Sequence, residues 1–176
     1  MPFFYDLQPS LALKPYVRLY RFMHLLFTDS TLPPAKAYPP RPEVTLSFYP
    51  RDTEKVSYED GRKPSSVRSA LIGQQNVVSH RLVGKEFLMV QVVFQPGGLY
   101  RLTGIPTIDL NNQYFDAEAV LGNEVRNLNQ RLSNIEDYSK MIPLVEDFLM
   151  NMVRKSSYDI RPIDKVGIAM LESKSN

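Results

Sequence analysis

Apolar residues recur along this chain in two rhythms, and the change from one to the other falls close to Pro96. Ahead of it the period is two. In E-V-T-L-S-F-Y, Glu43 to Tyr49, residues Val44, Leu46 and Phe48 share one face and Thr45 and Ser47 the other, the pattern of a half-buried strand. Tyr16 to Leu26 predicts a long aromatic-rich strand, with Arg18, Tyr20 and Phe22 alternating against Leu19 and Met23. V-R-S-A-L-I-G, N-V-V-S-H-R-L-V and E-F-L-M-V-Q-V-V-F read as three more strands. The last is apolar at nearly every position from Phe87 to Phe94, which predicts a central strand covered on both faces. Gly84-Lys85 has the length of a two-residue hairpin loop between the last two runs, and Glu59-Asp60-Gly61 predicts a hairpin turn around Val56 and Tyr58.

After Pro96 the period becomes helical. Phe115 to Leu121 ends at Gly122, a C-cap glycine, and Asn123 suits the start of a helix striped by Val125, Leu128 and Leu132. The clearest helix lies near Met141 to Met152. Its apolar positions are Met141, Leu144, Val145, Phe148, Leu149 and Met152, at the spacing of one helix face, and Pro143 fits the first turn. Strands followed by helices define an α+β domain: an antiparallel β-barrel or sandwich followed by a C-terminal helical segment.

Three stretches interrupt this order. Ser10 to Tyr16 predicts a turn or two of helix capped by Ser10 and closed at Lys14-Pro15. Thr31 to Pro42 holds five prolines in twelve residues, too few backbone donors for a central strand, and predicts an extended surface connection. Ser156 to Pro162 reads as a linker, and Ile163 to Leu171 as an amphipathic helix with apolar Ile163, Val166 and Met170. A helix this short does not hold itself together in water. It either docks back on the domain or opens a segment that has been removed, and removal is the expectation adopted.

Composition narrows the chemistry. A chain of 176 residues makes one domain, or one with an appendage. The absence of cysteine removes disulfides, zinc-thiolate sites and cysteine nucleophiles, and fits a reducing compartment. With 21 basic against 19 acidic residues, the balance is too even for a broad polyanion-binding surface. No basic region followed by an apolar run opens the chain, and no apolar stretch approaches the roughly 20 residues of a membrane span. The expectation is a cytoplasmic domain without membrane contact.

The candidate reactive groups do not converge. Only His24 and His80 are histidines, and nothing beside them completes a metal site. The acidic pairs Glu59-Asp60, Glu136-Asp137 and Glu146-Asp147 read as solvated charge. Near F-Q-P-G-G-L-Y-R-L-T-G there is no lysine to meet a phosphate and no nucleophile, so Pro96, Gly97 and Gly98 read as a structural corner between strand and helix. No catalytic residue, metal or cofactor is expected.

F-Q-P-G-G-L-Y-R-L-T-G-I-P, Phe94 to Pro106, resembles the N-terminal domain of a group of AraC-type bacterial transcription regulators, in which a strand ending F-x-P-G-G leads to a helix and a short G-[IV]-P. P-S-L-A-L-K-P-Y-V-R-L-Y is similar to that group's opening, Leu71-Ile72-Gly73-Gln74 to its L-x-G-x strand, and Val120-Leu121-Gly122 to its helix end. I-D-K-V-G-I-A-M-L-E-S-K-S-N resembles the first helix of the AraC-type DNA-binding region. One departure is Arg41-Pro42-Glu43-Val44, where the group usually has P-D-G or similar.

The resemblance implies a cupin-like regulatory half: residues 1–155 a sensor and dimerisation domain, residues 156–176 a linker and the start of a truncated helix-turn-helix domain. DNA would be read only through the missing part. A small-molecule effector of unknown identity is expected among the strands, with Tyr20, Phe22, Phe48, Gln74, His80 and Phe94 as candidate lining. The stripe Met141, Leu144, Val145, Phe148, Leu149 and Met152 is the candidate contact in a homodimer, although core packing also accounts for it. The rival readings are a barrel-type enzyme and an assembly domain without ligand.

Overall fold

The computed structural model describes residues 2–28 and 35–173. Its framework is a six-stranded antiparallel sheet of β1 (Phe3–Leu7), β2 (Val17–Leu26), β4 (Thr45–Phe48), β6 (Ser69–Ile72), β8 (Glu86–Phe94) and β9 (Tyr114–Asp116). The spatial order is β1-β2-β8-β4-β6-β9. A second sheet, β3-β7-β5, is built from β3 (Lys36–Tyr38), β5 (Glu54–Tyr58) and β7 (Ser79–Val83). Together they form a sandwich; the sheets do not close into a barrel.

The apolar run of β8 is central as predicted, paired with β2 on one side and β4 on the other. Both its faces are covered, by different layers. Because side chains alternate, Leu88, Val90, Val92 and Phe94 face one way with Tyr20, Phe22, Leu46, Phe48 and Leu71 of neighbouring strands. On that side pack α1 (Gly98–Thr103), α2 (Ala117–Leu121), α3 (Asn123–Ser133) and α4 (Met141–Lys155). Val125, Leu128 and Leu132 of α3, with Met141, Val145, Phe148 and Leu149 of α4, complete this core. Phe148 meets Phe48 edge to face at 6.4 Å. Phe87 and Met89 face the other way, into a smaller cluster with Tyr49, Ala70 and Ile72 beneath the second sheet.

Several expectations change here. Gly84-Lys85 joins strands of different sheets instead of forming a hairpin, since β7 pairs β3 and β5 while β8 pairs β2 and β4. The turn at Glu59–Gly61 follows β5, whose partner is β7, so no hairpin forms there. Thr45 and Ser47 are buried, because the face read as solvated lies under the second sheet. Ser10 to Tyr16 forms turns, with the Ser10 carbonyl accepting from the amides of Leu13 and Lys14. Of the proline-rich segment, residues 31–34 lie outside the described residues, and β3 is a three-residue edge strand just before Pro39-Pro40, where a missing donor is tolerated.

The stripe of α4 is spent on the core. Met141, Val145, Phe148 and Leu149 are buried, and Leu144 and Met152 pack beside them, so the face proposed for a partner holds α4 to the sheet. The last helix, α5 (Pro162–Ser173), docks back on the domain at the Pro96–Gly98 corner.

Candidate functional site

Between the two sheets lies a cavity of about 390 Å³. Strand parity decides what lines it. From the large sheet come Arg21, Met23 and Leu25 of β2, Thr45 of β4, Ile72 of β6, and Phe87, Met89 and Gln91 of β8. From the small sheet come Lys36 and Tyr38, Ser79, Arg81 and Val83, and Glu54. The floor is apolar. The charges gather in two places, and each carboxylate there is already engaged.

The first group centres on Glu43, which precedes β4. Its Oε2 accepts from Arg21 Nη1 at 2.8 Å and its Oε1 from Arg21 Nη2 at 3.1 Å, while Arg18 also donates to Oε1. Arg21 Nη1 donates further to Gln91 Oε1 at 3.0 Å, and Gln91 Nε2 to Ser47 Oγ at 2.9 Å. Burial alone would raise the Glu43 pKa, but the bonds and charges of Arg21 and Arg18 outweigh it and hold the carboxyl below its ordinary value.

The second group centres on Glu54, which is 3% exposed. Its Oε1 accepts from Tyr49 Oη at 2.6 Å, Arg81 Nη1 at 2.9 Å and Tyr114 Oη at 3.4 Å. Burial, reinforced by the Glu54 charge, pushes both tyrosine hydroxyls well above their usual pKa, so they remain donors. The Arg81 guanidinium lies 4.6 Å over the Tyr38 ring, and its Nε–H is buried without an acceptor among the described residues.

None of the six residues expected to line the effector site reaches this cavity. Tyr20, Phe22, Phe48 and Phe94 belong to the opposite face of the large sheet, in the helix-side core. Tyr20 there donates to Glu146 Oε1 at 3.2 Å, so Glu146, expected to be solvated, holds a buried tyrosine and the Ser10 amide. His80 sits on β7 between the cavity-facing Ser79 and Arg81, and by alternation points away from them. Gln74 and Phe94 line a different space. Strand parity puts the large aromatics on the helix side, and their neighbours at odd spacing, Arg21, Met23, Met89 and Gln91, line the cavity. The clue within the strands was a mixed face, polar Arg21 and Gln91 among methionines.

That different space, about 290 Å³, lies under α5 and along the glycine corner. Gly97 has φ 70°, and a Cβ built there would come within 2.2 Å of the Asp164 carboxyl group. A Cβ added at Gly167 would lie 2.7 Å from the Pro96 ring, so helix and corner touch where Gly167 carries no side chain. Asp164 is the one buried residue of α5. Its Oδ2 accepts from the Arg161 amide at 3.0 Å, closing the helix start just ahead of Pro162. Its Oδ1 accepts from Arg161 Nη2 at 3.0 Å, and the Arg161 guanidinium lies 4.1 Å over the Tyr100 ring of α1. Although burial opposes it, the Arg161 bonds hold the Asp164 pKa below its ordinary value. Glu43 lines both cavities, joining Arg21 in the wall of one to Arg18 in the wall of the other.

Among the described residues no three or more His, Cys, Asp or Glu side chains group as a metal site, and no helix is long and apolar enough to cross a membrane. His24 is buried in an aromatic cluster with Phe3 and Tyr138, remote in sheet face from the cavity.

A two-sheet antiparallel domain with helices on one face and a charged, apolar-floored cavity on the other is the class defined so far. Residues 5–116 match the family model described as a domain of unknown function, DUF6597, and the chain belongs to that family. No curated protein matches the chain. Among solved structures it is similar to the AraC-like transcriptional activator CuxR, at 10% identity and a TM-score of 0.34, over 88% of this chain and 59% of that one. It is also similar to Streptomyces albus HEPD with its substrate 2-hydroxyethylphosphonate and Fe(II) bound, at 10% identity and a TM-score of 0.38, over 95% of this chain and 40% of that one. The chain thus spans less than two thirds of either, and likenesses this distant carry no argument about function.

Proposed function

We propose that this chain is the regulatory domain of an AraC-type DNA-binding transcription regulator, with the inter-sheet cavity as its effector site. The observation that carries the reading is the cavity, whose volume of about 390 Å³ falls in the range of small-molecule sites and whose apolar floor is bounded by a few fixed polar groups. The motifs from Phe94 to Pro106 and along Ile163 to Ser173 supply the class. Residues 1–155 act as the sensor, and α5 is the first helix of the DNA-binding region. Its exposed Ile163, Val166 and Met170 form the stripe on which further helices of that region would pack. Glu43, shared by both cavities, offers a route from effector to helix. No reaction is assigned, since Glu43 and Glu54 are each committed to guanidinium partners.

Thermal melting of the chain against a panel of small metabolites tests this. At least one compound is expected to raise the melting temperature in a concentration-dependent way. A panel without effect, together with a stable dimer in sedimentation, would favour the assembly-domain reading.

A further inference from the structure

On the small sheet, Lys36 of β3 and Arg81 of β7 are register partners, directly opposite one another, and both line the cavity. Like charges in that relation destabilise an antiparallel pair unless an anion is shared between them. Glu54 meets part of this need. Of the Arg81 nitrogens only Nη1 donates to it, whereas a guanidinium has five N–H donors. Lys36 has no ion pair among the described residues. The lining as a whole holds four cations, Arg21, Lys36, Arg41 and Arg81, against Glu43 and Glu54. Arg21 is fully occupied by Glu43 and Gln91, with Asp6 3.6 Å from its Nε. Arg41 Nη1 lies 3.9 Å from the same Glu43 carboxylate, and the unmatched donors facing one another are the Lys36 ammonium and the buried Arg81 Nε–H.

Across the cavity from this pair the floor is Met23, Leu25, Phe87 and Met89, which offers an occupant no polar partner. We infer that the cavity takes a small organic carboxylate with an apolar body, its carboxylate between Lys36 and Arg81 and its body on that floor. The inference rests on the reading of the cavity as an effector site. A planar carboxylate matches the fork of a guanidinium, and a single negative charge costs less to take from water over an apolar floor than a doubly charged phosphate would. Tyr38, under the Arg81 guanidinium, keeps that fork in place.

The test titrates the chain calorimetrically with octanoate and phenylacetate, each beside its neutral amide, and with phenyl phosphate. A carboxylate is expected to bind saturably and about tenfold or more tighter than its amide, with affinity falling as salt rises. Lys36 is exposed, so Lys36→Gln should fold normally and bind the carboxylate about tenfold more weakly. Lys36→Glu places a tethered carboxylate opposite Arg81; it should abolish binding and raise the melting temperature of the empty protein. Equal affinity for carboxylate and amide overturns the carboxylate assignment and leaves the effector reading standing. Binding of phenyl phosphate alone overturns it in the same way, and an unchanged affinity in Lys36→Gln removes the site from this cation pair. Failure of every probe, charged and neutral, to bind overturns the effector reading and this inference with it.

Discussion

The two faces of the six-stranded sheet are made by the same strands one residue apart, yet they do different work. Toward the helices, Leu46, Phe48, Leu71, Leu88, Val90 and Val92 are fully buried in a close-packed layer with α3 and α4. Toward the small sheet, aliphatic and aromatic side chains are interrupted by Arg21, Thr45 and Gln91, and space remains between the layers. A face that is apolar throughout packs shut. A face that mixes apolar with charged groups needs partners for the charges, and the room left around those partners is the cavity. The first face is packed for stability, and the second is the one proposed for recognition.

Substitution across the sheet sharpens this contrast. Phe48→Ala should cost about 3–5 kcal/mol in urea unfolding, because it empties a filled layer against Phe148. Met89→Ala, on the adjoining strand but bordering existing space, should cost about 2 kcal/mol. Equal costs would break the distinction. Next in size is Glu54→Ala, which leaves Arg81 buried without its carboxylate and should destabilise by about 3 kcal/mol, while Glu54→Ala combined with Arg81→Ala should recover part of the loss.

A smaller effect follows from pH. Glu43 is held below its ordinary pKa of 4.5 in the folded protein, so below about pH 4.5 the unfolded chain takes up the proton first. Its contribution is complete above that pH and is lost as pH falls through the folded value. Glu43→Gln should accordingly flatten the loss of urea midpoint between pH 5 and pH 3 (about the carboxylate range). The smallest effect concerns α5. Asp164→Ala should leave the melting temperature of the domain nearly unchanged and speed proteolysis in residues 156–161, because it removes the group that closes the helix start against Gly97.

Much of the fold could be read in the sequence. The clean alternation of β4, the continuous apolar run of β8 and the stripe of α4 each dictate burial locally, and all three elements formed where expected. The pairing was less accessible. Gly84-Lys85 has a hairpin's length, but which sheet each flanking strand joins depends on long-range contacts, and β1, β3 and β9 are too short or too exposed to carry a period. The cavity was least legible. Large aromatics at Tyr20, Phe22 and Phe48 suggest a binding wall, yet nothing in a single strand says which of its two apolar faces meets helices. The glycine corner does join β8 to α1, as its strand-then-helix pattern suggested, but its contact with α5 required Asp164, sixty-odd residues away in the chain, to be placed beside Gly97.

The central claim, that the face toward the small sheet is the binding face, is tested most directly by filling it. Met89→Trp places a bulky ring in the cavity without touching the helix-side core. Thermal melting of this variant beside the unmodified chain, each with the compound that stabilises the unmodified chain, should show that Met89→Trp melts cooperatively and no longer responds. A Met89→Trp protein that responds fully to the same compound would place the site elsewhere and contradict the account.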